Sequence, residues 1–179
     1  MTTMLRTGHR AQRDIRVTTH CGLVARALGS SAFVVCGEPG QNALDSLKKV
    51  TQKWGGPFNA RQGTKPEKEI RKWKNKTKGK VVHLTMYGAP LKTRMQALRK
   101  EKQILVIVGA EKVPPAIYRQ ADYNLSAGNQ PHSEIAALAL FLHELYNGKE
   151  LEHAFRNAKI RIKPQLHGKK IKITQKQGI

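Results

Sequence analysis

Short apolar runs alternate along this chain with longer segments in which apolar residues recur at helical spacing. The most continuous run, residues 104–108, reads Ile-Leu-Val-Ile-Val and predicts a central parallel strand that is buried on both faces. Between residues 131 and 148, Ile135, Leu138 and Leu142 recur at helical spacing and predict a helix with one apolar face. Because strands and helices alternate throughout, the sequence predicts an α/β fold with a mostly parallel sheet.

The remaining strands and helices are predicted from the same patterns and from the glycine and proline residues that interrupt them. The predicted strands cover residues 4–7, 31–36, 58–61, 80–86, 104–108 and 123–127. The predicted helices cover residues 14–28, 41–54, 66–78 and 93–102, a short stretch that ends at Tyr118, and a last helix. For that last helix, Pro131 fits the first turn and Gly148 the end, and Gly128 allows a backbone conformation closed to other residues.

The pattern changes after Leu151. Residues 159–163 and 170–174 alternate isoleucine with charged or polar residues, and Pro164 and Gly168 lie between them, which predicts a two-stranded hairpin. We therefore divide the chain into a domain over residues 1–150 and a basic C-terminal extension over residues 151–179. A contact with nucleic acid or another subunit is one interpretation of this hairpin, and a solvated edge rich in lysine is the other.

Positive charge dominates the composition. Lysine and arginine number 33 against 12 aspartates and glutamates, which gives a net charge of +21 and a pI near 10.4. Such an excess indicates a polyanionic partner, with an anionic membrane surface or a generally basic proteome as alternatives. No apolar run approaches the ~20 residues that span a membrane. One short region holds much of this charge: Lys65, Lys68, Arg71, Lys72, Lys74, Lys76 and Lys78.

The two cysteines lie in apolar surroundings. Cys21 and Cys36 predict buried thiols of a protein in a reducing, cytoplasmic compartment, although a single disulfide between them is the alternative. The sequence has neither a Cys-x-x-Cys pair, which would indicate zinc, nor an N-terminal apolar segment typical of a signal peptide. We therefore expect no bound metal.

Three predicted strands end in glycine-bearing loops, at residues 84–88, 109–114 and 128–134. In a parallel sheet the carboxyl ends of the strands share one edge, and ligands bind in the crevice there. The three loops are therefore expected to converge on one pocket. A dinucleotide enzyme is the main competing interpretation, but no Gly-x-Gly-x-x-Gly follows the first strand and no phosphate-binding loop occurs.

Four long motifs give these loops a family resemblance. GHRAQRDIRVTTH, VHLTMYG, VGAEKVP and ADYNLSAGNQPHSEIAAL together resemble the archaeal tRNA (cytidine-56) 2′-O-methyltransferases, which belong to the SPOUT class. The resemblance covers nearly the whole chain, from Met4 to the C-terminal hairpin.

The resemblance implies a SPOUT (alpha/beta knot) fold with helices on both sheet faces and a trefoil knot towards the C-terminal half. It implies a homodimer with the active site at the subunit interface. The implied reaction transfers a methyl group from S-adenosylmethionine to the ribose 2′-oxygen of tRNA cytidine 56. A non-catalytic RNA-binding protein that kept the fold is the alternative, as is a different nucleotide-binding α/β enzyme.

Carried over residue by residue, the resemblance assigns the cofactor to the three loops. The implied cofactor-binding residues are Leu84; Gly109, Ala110, Glu111, Lys112 and Val113; and Ala127, Gly128, Asn129, Gln130, Pro131, His132, Ser133 and Glu134. The family often has valine where Ala127 stands. Either Glu111 or Glu134 offers a carboxylate for the sulfonium, and stabilisation of a helix start is the alternative role for each.

The catalytic candidates follow the first strand. The candidates for handling the ribose hydroxyl are Arg10, Arg13 and Asp14, and the resemblance implies that a basic residue of this segment faces the cofactor of a partner subunit. Arginine rarely loses its proton, so its expected role is to orient a phosphate and to stabilise a developing alkoxide. His20 or His9 is the candidate base near neutral pH, with a structural role as the alternative for each.

Overall fold

Six parallel strands form the central sheet. The computed structural model describes residues 1–110 and 112–174. The sheet strands are β1 (Thr2–His9), β2 (Ser30–Gly37), β3 (Asn59–Gln62), β4 (Lys80–Pro90), β5 (Ile104–Gly109) and β6 (Tyr123–Ser126). Their spatial order is β3-β2-β1-β5-β4-β6, and every neighbouring pair is parallel. The predicted α/β fold is confirmed, and the 104–108 run is the centrally placed β5.

Helices connect these strands. They are α1 (Ile15–Ala27), α2 (Gln41–Trp54), α3 (Pro66–Thr77), α4 (Met95–Leu98), α5 (Pro115–Gln120) and α6 (Glu134–Tyr146). The predicted bounds of α2 match the structure, because its apolar spacing and its Gly-Gly-Pro end are both local signals. Over the described ranges, no helix is long and apolar enough to cross a bilayer.

The helices pack in two layers, one on each face of the sheet. On one face α1, α2 and α6 cover a core that includes Met4 and Val106, and on the other α3 and α5 cover a core that includes Leu5 and Ile107. Consecutive strand residues point to opposite faces, so β1 and β5 contribute to both cores. This burial on both faces explains the unbroken apolar run of β5.

Both cysteines are buried and free. Cys21 lies in α1 and Cys36 in β2, and burial raises the pKa of each thiol to about 12. The prediction of buried thiols is confirmed, and the alternative of a disulfide between them is wrong.

Several local predictions are wrong. The β4 strand continues to Pro90 where a loop was expected, because residues 89–90 pair with β6 after a register shift. The predicted helix over residues 93–102 is a 3₁₀ turn, Leu91–Thr93, followed by the four-residue α4. Pro131 precedes α6 by three residues, since Ser133 caps that helix instead.

The expectation for Gly128 is also wrong. Its backbone φ is not in the left-handed region, and an added Cβ there meets no atom within 4 Å. Gly148 does have a positive φ of 79°, but Asn147, with a φ of 55°, is the residue that caps α6.

The C-terminal segment forms a small separate sheet that contacts the helices. Strands β7 (Ile160–Ile162) and β8 (Ile171–Ile173) pair antiparallel. Before them, the Phe155 ring stacks on the buried Arg26 guanidinium at 4.4 Å. The Gly56 N–H donates to the Arg156 carbonyl at 3.0 Å. The knot and the domain boundary at residue 150 stay predictions.

A buried arginine in β1 links that strand to two helices. Arg6 is 1% exposed, and its Nη1 lies 2.9 Å from Oε1 of Glu134, the first residue of α6. Its Nε donates to Thr18 Oγ1 of α1 at 2.8 Å. A buried charge is costly unless it is paired, so this ion pair fixes the start of α6 relative to the sheet.

We predict that Arg6→Met lowers the free energy of unfolding by about 2–4 kcal/mol, because it leaves the Glu134 carboxylate half-buried without its partner. Urea denaturation measures the change. The control is Arg99→Met, since Arg99 is 39% exposed in its pair with Glu144 and surface pairs contribute about 1 kcal/mol or less. Equal losses in the two variants would contradict the structural role of the Arg6 pair.

Candidate active site

A cavity of about 400 Å³ opens at the carboxyl ends of β4, β5 and β6. These three strands are neighbours in the sheet, in the order β5-β4-β6, so the loops that follow them lie side by side. Residues from all three loops line the cavity, among them Leu84, Gly109 and Ala127. The convergence expected from the sequence is therefore present in the structure.

Small and apolar residues form the inner wall of the cavity. Leu84 is 7% exposed and Ala137, in the first turn of α6, is 6% exposed. The Val113 side chain packs directly over the Gly109 Cα, where an added Cβ would collide with it. The wall therefore brings backbone N–H and C=O groups of the strand ends close to the cavity without a large side chain between.

One carboxylate faces this wall. Glu134 lines the cavity, and its side chain is 29% exposed while one oxygen is held by Arg6. Ser133 caps α6 by accepting a hydrogen bond from the Ile135 N–H at 3.2 Å. The helix N-terminus adds partial positive charge beside the carboxylate, so this end of the cavity suits a polar, zwitterionic group.

A bulge in β4 forms the outer rim. Leu84 pairs with Leu125 of β6, and Ala89 pairs with the same residue, so the four residues 85–88 loop out of the sheet. The Asn129 side chain clamps this bulge by donating to the Met86 carbonyl at 2.6 Å and to the Gly88 carbonyl at 3.2 Å.

An ion pair from the β1–α1 loop, between Arg10 and Asp14, lines the cavity of its own chain, whereas the resemblance implied that this segment faces the cofactor of a partner subunit. Asp14 accepts hydrogen bonds from the Arg10 backbone N–H and Nε at 3.0 Å and from its Nη2 at 3.1 Å. The hydrogen bond from the Arg10 side chain holds the pKa of Asp14 below its ordinary value. Asp14 therefore remains ionised and orients the guanidinium, and its side chain does not cap α1.

The other predicted catalytic residues lie apart from the cavity in the single chain. Arg13 and His20 border a separate shallow depression on α1 with Ile15 and Arg16. His9 is 2% exposed and shares a hydrogen bond with Thr18 at 2.8 Å. Burial, with Arg6 nearby, lowers the pKa of His9.

The predicted cofactor residues divide into three groups. Eight of them line the cavity: Leu84, Gly109, Ala110, Val113, Ala127, Pro131, His132 and Glu134. Gly128 and Asn129 line an adjoining groove, which Ala127 shares, and Lys112, Gln130 and Ser133 are not among the lining residues of either. Glu111 lies outside the described residues.

Sequence reasoning missed several residues of the site. Arg6 does not line the cavity but is paired with a residue that does, and a lone charge inside an apolar strand is a signal of such a buried ion pair. His83, Tyr118 and Ala137 line the cavity, and the rings of His83 and Tyr118 pack edge to face with centroids 4.6 Å apart. The His83 Nδ1 shares a hydrogen bond with Asn124 Oδ1 at 2.9 Å, and burial lowers the pKa of the imidazole.

The chain is similar in sequence to known proteins. Residues 54–172 match the family model described as "tRNA ribose 2'-O-methyltransferase, aTrm56". The chain is 49% identical over 178 residues to the tRNA (cytidine(56)-2'-O)-methyltransferase of Methanocaldococcus jannaschii, covering 98% of this chain and 97% of that protein. The protein of the same name from Hyperthermus butylicus is 48% identical over 169 residues, covering 94% of this chain and 90% of that protein.

Solved structures share the fold at low sequence identity. The SpoU methyltransferase AviRb from Streptomyces viridochromogenes, solved in complex with the cofactor AdoMet, superposes with a TM-score of 0.58 at 15% identity. The match covers 83% of this chain and 57% of that one. The fold is therefore the one seen in SpoU-type SPOUT methyltransferases. By its identity to the relatives over nearly the full length, the chain belongs to the tRNA (cytidine(56)-2'-O)-methyltransferase family.

Proposed function

We propose that this protein transfers a methyl group from S-adenosylmethionine to the ribose 2′-oxygen of cytidine 56 in tRNA. The observation that carries the proposal is the cavity that the ends of β4, β5 and β6 share, in a chain of this family. A volume of about 400 Å³ falls within the range of pockets that hold small-molecule cofactors.

The residues present fit the cofactor. The strand-end backbone at Leu84 and Gly109 offers neutral donors and acceptors that suit an adenine edge, and Ala127 and Ala137 leave room beside it. The Glu134 carboxylate and the start of α6 suit a zwitterionic amino-acid group. When bound, the sulfonium supplies an electrophilic methyl carbon.

The task of the protein is then to place the 2′-oxygen in line with that carbon at ~3–3.5 Å. We assign the orientation of the nucleotide to Arg10, whose guanidinium Asp14 holds at the cavity wall. An arginine keeps its proton near neutral pH, so Arg10 binds a phosphate and stabilises negative charge that develops on the 2′-oxygen. Asp14 acts through Arg10 as a positioning residue.

We predict that Ala127→Phe fills the cavity and lowers the affinity for S-adenosylhomocysteine at least about tenfold, because the new ring occupies the cofactor volume. Calorimetry measures binding, and transfer of a radiolabelled methyl group to unmodified tRNA measures activity. Ala154→Phe, at an exposed position of the C-terminal segment, is the matched control and should match the wild type.

The wild-type chain tests the function itself in the same assays. Mass spectrometry of digested tRNA should map the methyl group to cytidine 56. If wild-type protein binds RNA but gives neither cofactor heat nor transfer, the enzymatic assignment is wrong and the non-catalytic RNA-binding alternative stands.

We infer that the active form is a homodimer whose site combines residues of two copies. The position of Arg13, just before α1, and of His20 in α1 supports this, since both line a depression that is separate from the cavity of their own chain. Leu140 of α6, which packs beside α1, is 51% exposed and supplies apolar surface nearby. Such a surface is suited to a contact between copies.

We predict that two inactive variants complement each other. Arg13→Ala removes the residue that one subunit contributes to its partner's site, and Ala127→Phe blocks the cofactor cavity. A mixed dimer therefore contains one intact site, and random mixing of the subunits should recover roughly a quarter of wild-type activity. Light scattering measures the mass of the protein in solution and so shows whether it is a dimer. A monomeric active enzyme, or a mixture without activity, would rule out the shared site.

We assign tRNA binding first to an exposed stripe on α3 formed by Lys68, Lys72 and Lys76, the α3 lysine stripe. Like charges at i, i+4 spacing repel, so the stripe lowers the stability of the helix and requires another explanation. The α3 helix follows β3 and so begins at the carboxyl edge of the sheet, the edge that holds the cavity. Phosphates of a bound RNA would neutralise the stripe.

The C-terminal strands offer further positive charge, which we also assign to RNA. The basic residues after Glu152 are Arg156, Lys159, Arg161, Lys163, Lys169, Lys170, Lys172 and Lys176, of which Lys176 lies outside the described residues. We also propose that the protein acts in the cytoplasm, which the proposed action on tRNA and the two buried free thiols support.

We predict that changing the three lysines of the α3 lysine stripe to glutamine weakens tRNA binding. The magnitude of the slope of log K against log salt should fall by about 2–3, because fewer counterions are released. Filter binding at several salt concentrations measures the slope. Changing Lys48, Lys49 and Lys53 of α2, exposed on the opposite face, removes the same charge and should leave the slope near that of the wild type. Equal slopes in both variants would contradict a specific role for α3.

A further inference from the structure

Tyr87 is a large aromatic side chain at the cavity that is open to solvent. It is 78% exposed, whereas Tyr118, the other tyrosine that lines the cavity, is half-buried, and Leu84 and Ala137 of the inner wall are buried. A single exposed apolar residue is ordinary on a protein surface. Tyr87, however, lies at the tip of the β4 bulge and borders the cavity itself.

The backbone that carries Tyr87 is held on both sides. The Asn129 amide donates to the Met86 and Gly88 carbonyls, which flank the tyrosine. Gly88 lies against the β6 backbone so closely that an added Cβ would be 2.6 Å from Leu125 N. The ring is therefore displayed on a fixed support, and little conformational freedom of the backbone remains to be lost on binding.

In the proposed reaction, an unstacked base of the RNA comes close to such a ring. To bring a ribose 2′-oxygen in line with the methyl carbon, the nucleotide must leave its stack in the RNA, which costs a few kcal/mol. Its base then lies at the mouth of the cavity, because the ribose occupies the interior. An exposed aromatic ring at the rim compensates for the lost stacking, as aromatic side chains do for splayed bases in RNA loops.

We propose that Tyr87 stacks on the base of the nucleotide that is methylated. This inference rests on the proposed function and adds a substrate-contacting residue to it. The adenine of the cofactor is the less suitable partner, because Leu84, Val113 and Ala137 offer enclosed apolar surface deeper in the cavity. The high exposure of Tyr87 suits a partner that arrives from solvent.

The test is a pair of substitutions in the full chain. Tyr87→Ala should lower kcat/KM for unmodified tRNA by about 10- to 100-fold, the range that base–aromatic stacking gives. Tyr87→Phe keeps the ring and should remain within about twofold of the wild type. Leu166→Ala, at a 98% exposed position of the C-terminal segment, controls for loss of an exposed apolar side chain.

A substrate without the target base separates stacking from a structural role. In tRNA that carries an abasic ribose at the target position, wild type and Tyr87→Ala should have equal kcat/KM within about twofold, since neither can form the stack. If Tyr87→Ala lowers activity by the same factor on both substrates, the proposal is wrong.

Two further results would also overturn it. A fall in affinity for S-adenosylhomocysteine in Tyr87→Ala would place the ring in the cofactor site, and a change from dimer to monomer in light scattering would place it in a subunit interface. A wild-type chain that binds no S-adenosylhomocysteine and transfers no methyl group contradicts the proposed function itself, and with it this inference. Wild-type transfer with an unaffected Tyr87→Ala rejects the inference alone.

Discussion

The ion pair between Arg6 and Glu134 fixes the geometry on which the site depends. It joins the first strand to the start of the last helix, across 128 positions of the chain. Because a buried guanidinium without a partner is costly, the α6 N-terminus cannot shift away from the sheet without a large loss of stability. The same contact turns one Glu134 oxygen towards Arg6 and leaves the carboxylate at the cavity wall.

The order of the parallel strands explains why a cavity forms where it does. Strands β3, β2 and β1 form one half of the sheet, and β5, β4 and β6 form the other half, so the ends of these last three strands lie next to one another. Parallel strands end with unpaired backbone groups, and small residues such as Gly109 and Ala127 leave those groups accessible. Much of the proposed cofactor site is therefore backbone, while Arg10, Asp14 and Glu134 are charged side chains at the cavity.

The two ends of the cavity differ in chemistry, and this difference suits group transfer between a small cofactor and a large polyanion. The inner wall is apolar and enclosed, as Leu84 and Ala137 illustrate. Tyr87 of the outer rim is exposed, Arg10 of the cavity wall is partly exposed, and the whole chain carries a net charge of +21. In the proposed reaction, a polyanion drawn by that charge reaches the rim first, and the roles we propose for Arg10 and Tyr87 there are to orient the nucleotide and to stack on its base.

The sequence by itself determined the alternation of elements, the burial of β5 on both faces and the three loops that converge. Periodicity, strand composition and breakers are local signals, which is why α2 was predicted to the residue. The long motifs around residues 109–114 and 128–134 also identified the family, which the close relatives bear out. Family resemblance carried the candidate roles of the site residues, and these remain proposals.

Only the tertiary structure decided which side chains meet. The Arg6–Glu134 pair and the Asn129 clamp join residues far apart in sequence, and no local pattern encodes such contacts. The β4 bulge arises because two β4 residues pair with Leu125 of β6, so the register of pairing between these two strands determines it. Pairing between distant segments is selected by the packing of the whole sheet, so the exposed position of Tyr87 emerges only once the chain is folded.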